Sequence, residues 1–136
     1  MILKRIVIDT NVLVSALMTP LGNPAKAYKM FLAEALVLVY SEDIMAEYED
    51  VLYRPRLRIP TEDADTVLDA IRQHGNLVIP IPSSGFIPDE DDRVFYDAAR
   101  CVDAYLITGN KRHYPEESFI LTPAEFLENE QNSSPV

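Results

Sequence analysis

Four polar positions follow short apolar runs. Asp9 comes after Ile6-Val7-Ile8, and Glu47 lies in the helical stretch after Leu36–Tyr40. Asp92 closes the run Asp89-Glu90-Asp91-Asp92, and Asn110 follows Tyr105–Thr108. Three carboxylates held within a few ångströms resist full ionisation, because each raises the pKa of the others. A divalent cation relieves that repulsion, and oxygen donors of this kind suit Mg²⁺ or Mn²⁺. The chemistry open to such a set is activation of water for attack on a phosphodiester. Each residue also has a plain structural use. Asp9 and Asp92 sit where helices are capped. Glu47 belongs to Glu42–Asp50, in which five of nine residues are acidic, as on a solvated helix face. Asn110 beside Gly109 reads as a turn. What favours a site over four separate coincidences is where the elements place these residues.

Arg5–Asp9 reads as a strand buried on both faces, with three consecutive β-branched residues. A helical turn is expected at Val12–Leu17. Asn23 is expected to cap a helix over Pro24–Ala35, with proline at its first position. Leu36–Tyr40 is a second strand, and Ser41 caps a helix running to about Leu52. Thr61 is expected to cap Glu62–His74, with Gly75 as its stop. Leu77–Ile81 is a third strand, placed at a sheet edge by Pro80 and Pro82. Pro82–Asp91 is a loop, and a helix starts at Asp91 or Asp92 and runs to about Val102. Tyr105–Thr108 and Phe119–Leu121 are further strands. Thr122-Pro123-Ala124-Glu125 is a capping box opening a helix over Pro123–Glu130. Strands separated by helices imply right-handed crossovers. The expected fold is α/β, with helices on both faces of a mainly parallel sheet of about five strands. Ligands of such sheets bind beyond the carboxyl ends of the strands, and that is where the four polar positions fall.

Composition narrows the function further. The chain has 136 residues, enough for one ordinary domain. The net charge is −10, with the acidic excess confined to residues 61–136. That argues against loose electrostatic binding to nucleic acid and makes any polyanionic substrate depend on cations and local basic groups. No apolar run approaches the ~20 residues of a membrane span. Met1–Arg5 leads directly into a strand, so no signal peptide is expected. A single cysteine, Cys101, fits a reducing cytoplasm; its place beside Phe95, Ala98 and Val102 suggests a core position. His74 and His113 fit no zinc spacing, and no glycine-rich phosphate loop is present.

The strings Ile6-Val-Ile-Asp-Thr-Asn-Val-Leu-Val-Ser-Ala-Leu17, Ser41–Leu52, Pro88-Asp-Glu-Asp-Asp-Arg-Val-Phe95 and Ala104-Tyr-Leu-Ile-Thr-Gly-Asn110, in that order, resemble the PIN-domain proteins. More narrowly, they resemble PIN toxins of prokaryotic toxin–antitoxin systems. The resemblance covers about residues 3–127. It implies a PIN domain over 1–128, built as a three-layer α/β/α sandwich, with a polar tail at 129–136. It implies a cytoplasmic, Mg²⁺- or Mn²⁺-dependent endoribonuclease, with RNA as substrate, an antitoxin as partner, frequent homodimerisation and no membrane association. The family's acidic positions fall on Asp9, Glu47 and Asp92 as metal ligands. Asp92 is preferred over Asp89 and Asp91 because Ala99 matches the family's small residue seven positions on. The fourth position, often Asp, is Asn110, which adds no charge and places a second metal in doubt. Thr10, Asn11 and Thr108 match groups that orient ligands or substrate. Arg54, Arg56 and Arg58, or Lys111 and Arg112, are the candidates for RNA phosphates. Two other readings are a phosphatase or phosphotransfer domain with Asp9 as nucleophile, and a PIN fold that binds without catalysing. Against the first, Asn11 replaces the second Asp that a haloacid-dehalogenase-like enzyme needs, and Pro80 and Pro82 occupy the region where a receiver domain carries its Asp.

Overall fold

A computed structural model describes residues 2–132. The elements run β1 (Arg5–Ile8), α1 (Thr10–Met18), α2 (Asn23–Leu32), β2 (Val37–Tyr40), α3 (Glu42–Leu52), α4 (Thr61–His74), β3 (Asn76–Leu77), α5 (Arg93–Cys101), β4 (Tyr105–Ile107), β5 (Ile120–Leu121) and α6 (Pro123–Asn132). Short 3₁₀ turns at Pro55–Leu57, Glu90–Asp92 and Lys111–His113 connect them. The five strands form one sheet in the order β3-β2-β1-β4-β5, and every pairing is parallel. Helices α1, α2 and α6 associate with one another, as do α3, α4 and α5, which gives the three-layer sandwich. Among the described residues no helix is long and apolar enough to cross a membrane.

The central strand explains the core. Ile6, Val7 and Ile8 are all essentially inaccessible, because both faces of β1 are covered. β1 pairs with β2 on one side and β4 on the other, with Ile8 opposite Ile107. The chain first builds outward from β1 through β2 to β3, then returns to the other flank as β4. That reversal opens a crevice at the carboxyl ends of β1 and β4, the position at which open α/β sheets bind ligands.

Several boundaries differ from the sequence expectation, each for a local reason. Asn23 does not cap α2: it is the first helical residue, and Gly22 precedes it with no side-chain cap. Thr61 is likewise inside α4, where the Pro60 carbonyl accepts from Asp63 and Ala64 N–H. The third strand shrinks to Asn76–Leu77. Val78 N–H still reaches the Tyr40 carbonyl at 2.8 Å, but Pro80 and Pro82 have no N–H to extend the ladder. The helical turn expected at Val12–Leu17 is the full helix α1, Thr10–Met18, and α5 begins at Arg93 after a 3₁₀ turn. Cys101 is exposed rather than in the core, since α5 turns Phe95, Tyr96, Ala98 and Ala99 inward and leaves position 101 outside. The Ser41 cap and the Thr122–Glu125 box are both formed. The expected tail begins within α6, which runs to Asn132; residues 133–136 lie outside the described residues.

Candidate active site

The crevice holds a cavity of about 360 Å³ lined by Asp9, Thr10, Asn11, Glu47, Asp92 and Asn110, with Arg54, Arg56 and His113 also on its wall. Asp9 leaves the end of β1 and caps α1: its Oδ1 accepts from Val12 N–H at 3.1 Å. Its Oδ2 accepts from the Thr108 hydroxyl at the end of β4. Both residues are buried. An ionised carboxylate has about four acceptor positions, so two hydrogen bonds fix Asp9 and leave lone pairs for a ligand. Burial is the main influence on Asp9 and pushes its pKa up; the bonds from Thr108 and Val12 oppose it.

Glu47 projects from α3 and is half-buried on the cavity wall. One residue on, Tyr48 is fully buried, and its hydroxyl donates to the Ile8 carbonyl at the end of β1. That bond ties α3, and with it Glu47, to the strand that delivers Asp9. Tyr48→Phe should lower the unfolding free energy by about 1–3 kcal/mol, the cost of an unsatisfied buried acceptor. Urea denaturation checks this, and an unchanged midpoint would show that Ile8 is not held this way.

Asp92 ends the 3₁₀ turn before α5 and makes no side-chain cap bond, so the simple capping use does not apply. Its pKa is pushed up to about 6, chiefly by burial, then by the negative charges of Asp89 and Asp9; His113 opposes the shift. The acidic loop is held from behind. Arg93 donates to Ser83 O, Ser83 Oγ and Gly85 O, and pairs with Glu90 at 2.5 Å.

His113 is the residue that sequence reasoning passed over. With Nδ1 protonated it donates to Asp92 Oδ2 at 3.0 Å, and its Nε2 accepts from Asn110 Nδ2 at 2.8 Å. Asn110 N–H in turn donates to Thr108 Oγ1 at 3.0 Å. A continuous chain of hydrogen bonds therefore joins Asp92, His113, Asn110, Thr108 and Asp9. The available signal was the Asn110–His113 spacing: three residues just past a strand end is one tight turn. Asp89 and Tyr114 also belong here. Asp89 Oδ2 lies 3.7 Å from His113 Nδ1. The Tyr114 hydroxyl is buried, turned toward Asp9 but short of a hydrogen bond, and its pKa is pushed up by burial and by Asp9, Asp92 and Asp89. Thr10 Oγ1 is also buried without a partner among the described residues.

Of the basic candidates, Arg54 and Arg56 reach the cavity; Arg54 also pairs with Asp50 at 2.7 Å. Arg58, Lys111 and Arg112 are exposed and are not among the lining residues, and Lys111 pairs with Glu125 at 3.1 Å. The donor set suits a hard divalent cation: three carboxylates share one cleft, and the Thr10 hydroxyl on its wall is buried without a partner among the described residues.

An all-parallel sheet with an acidic crevice at its switch point defines an α/β protein whose carboxylate cluster lies where such folds bind ligands. The chain belongs to the PIN domain family, whose model matches residues 5–112; members are generally nucleases. It is 33% identical over 110 residues to an uncharacterized protein of Methanocaldococcus jannaschii, covering 79% of this chain and 71% of that one. Its fold resembles VapBC2 of Rickettsia felis, solved bound to a DNA fragment from their promoter (TM-score 0.56, 16% identity, 87% of this chain and 96% of that one). It also resembles PAE2754 of Pyrobaculum aerophilum (TM-score 0.59, 13% identity, 96% and 91%).

Proposed function

We propose that this protein is a divalent-metal-dependent endoribonuclease of the cytoplasm, the toxin of a toxin–antitoxin pair, with Asp9, Glu47 and Asp92 as metal ligands. The observation that carries the reading is the single cavity shared by these three carboxylates. A bound Mg²⁺ or Mn²⁺ supplies a more acidic water and offsets charge on the phosphodiester. The chain's own residues do the rest. Val12 N–H and the Thr108 hydroxyl hold Asp9 in one orientation. Thr10 and Asn11 lie beside it on the wall, suited to orient the substrate. Arg54 and Arg56 offer positive charge at the same cleft, where an RNA phosphate needs it on a chain of net charge −10. Asn110 contributes a polar wall and no charge. The antitoxin partner and the homodimer rest on the family resemblance in the sequence, the antitoxin also on the likeness to VapBC2.

The test is incubation with single-stranded RNA and Mn²⁺ or Mg²⁺, with and without chelator. Endonucleolytic fragments that vanish with chelator are expected. Cleavage indifferent to chelator, or an inert protein at millimolar metal, would overturn the reading. The latter result would favour a PIN fold that only binds.

A further inference from the structure

We propose that His113 Nδ1, together with the carboxylates of Asp89 and Asp92, ligates a divalent cation, so that the cleft contains a nitrogen-bearing site that selects Mn²⁺ over Mg²⁺. This rests on the metal dependence proposed above and adds the residue that decides which metal is held. The three side chains each present a ligand atom, and these atoms lie within 4.8 Å of one another. His113 Nδ1 is 3.0 Å from Asp92 Oδ2 and 3.7 Å from Asp89 Oδ2. Ligands about 2.1 Å from a cation are roughly 3.0 Å apart at right angles and roughly 4.2 Å apart when opposed. These two spacings fall in the range of ligands to one ion once the Nδ1 proton has moved to Nε2. Asp92 faces both this trio and the Asp9–Glu47 side of the cavity, so it can serve either.

A second observation points the same way. The Tyr114 hydroxyl is buried without a hydrogen-bond partner among the described residues, and the negative charges of Asp9, Asp92 and Asp89 all act on it. A buried donor or acceptor left without a partner is costly, and an ion's hydration sphere would meet it. The chain also contains the device that a ligating imidazole needs. Nδ1 can bind a cation only when its proton sits on Nε2 instead. Asn110 is 2.8 Å from Nε2, and turning its amide presents Oδ1 to an Nε2–H. A carbonyl on the distal nitrogen fixes both the tautomer and the ring orientation. On this account Asn110 is a positioning residue: it aims His113. Affinity for nitrogen rises along the transition series from Mn²⁺, its weakest member, whereas Mg²⁺ keeps to oxygen and water, so one imidazole tilts the site toward Mn²⁺ relative to Mg²⁺.

Electron spin-echo modulation of the full chain with one equivalent of Mn²⁺ tests this directly. The wild type should show ¹⁴N modulation from a coordinated imidazole, and His113→Asn, which keeps an amide donor toward Asp92, should lose it. His113→Asn should also bind Mn²⁺ at least about tenfold more weakly, a loss typical of disrupted ligation, with Mg²⁺ affinity nearly unchanged. Bound Mn²⁺ without ¹⁴N modulation in the wild type would overturn the proposal and leave oxygen-only metal dependence standing. Modulation that persists in His113→Asn would also overturn it. Absence of any Mn²⁺ binding would remove both this site and the metal-dependent reading.

Discussion

Asp9→Asn is expected to abolish the RNA cleavage proposed above and to leave the protein folded. Asn keeps the acceptor that caps α1 at Val12, and Asn is as good a cap as Asp. What it removes is a charge at the most enclosed point of the cleft. Rate should fall about a thousandfold or more, equivalent to about 4 kcal/mol of transition-state stabilisation. Stability of the metal-free protein should hold or rise, because burial already disfavours the Asp9 anion. Cleavage and thermal melting of the same purified variant check both halves. An active Asp9→Asn protein free of contaminating nuclease would sink the mechanism.

The second large effect is on pH. Asp92 is held near pKa 6, mainly by burial. A cation and a proton compete for its carboxylate, so affinity for Mn²⁺ should drop about tenfold per pH unit below 6. The stability effect has the opposite direction. A folded-state pKa raised from 3.8 to about 6 means that the fold retains this proton more tightly than the unfolded chain does. Asp92 therefore supports folding fully below about pH 4, and the contribution is lost as pH climbs through 6. Without metal, Asp92→Asn should be more stable than wild type at pH 7, and the gap should close toward pH 4. Calorimetric titration and melting across that range measure the two trends. A pH-independent gap would show that Asp92 ionises as freely in the fold as in the unfolded chain.

These expectations reach back to what the chain discloses before folding is considered. The β-branched triplet Ile6–Ile8 marks a strand covered on both faces, and Asp9 at its end follows from strand polarity alone. Ser41 and the Thr122–Glu125 box announce helix starts through local hydrogen bonds, which short-range spacing can specify. Asn23 and Thr61 mislead because proline supports a helix start without any side-chain cap, so the cap-forming residue slides into the helix. β3 is short because an edge strand depends on which N–H groups are free, and proline decides that. Cys101 misleads because a position on an apolar helix does not identify its azimuth. His113 and Tyr114 are hidden for a different reason. Asp92, which His113 bonds, and Asp9, toward which Tyr114 turns, are 21 and 105 positions away in the chain, and only the return of the chain to the flank of β1 brings them together.

That return has a temporal consequence. Thr108 reaches back across 99 residues to hold Asp9, from the end of a strand that pairs with β1 on the side opposite β2. Synthesis proceeds from the amino end, so a chain of the first hundred residues contains Asp9, Glu47 and Asp92 but neither Thr108, which holds Asp9, nor His113, which bonds Asp92. Long-range closure of this kind also makes folding slow compared with local helix formation. On the ribonuclease reading proposed above, the cleft is complete only after β4 has been made and has docked beside β1.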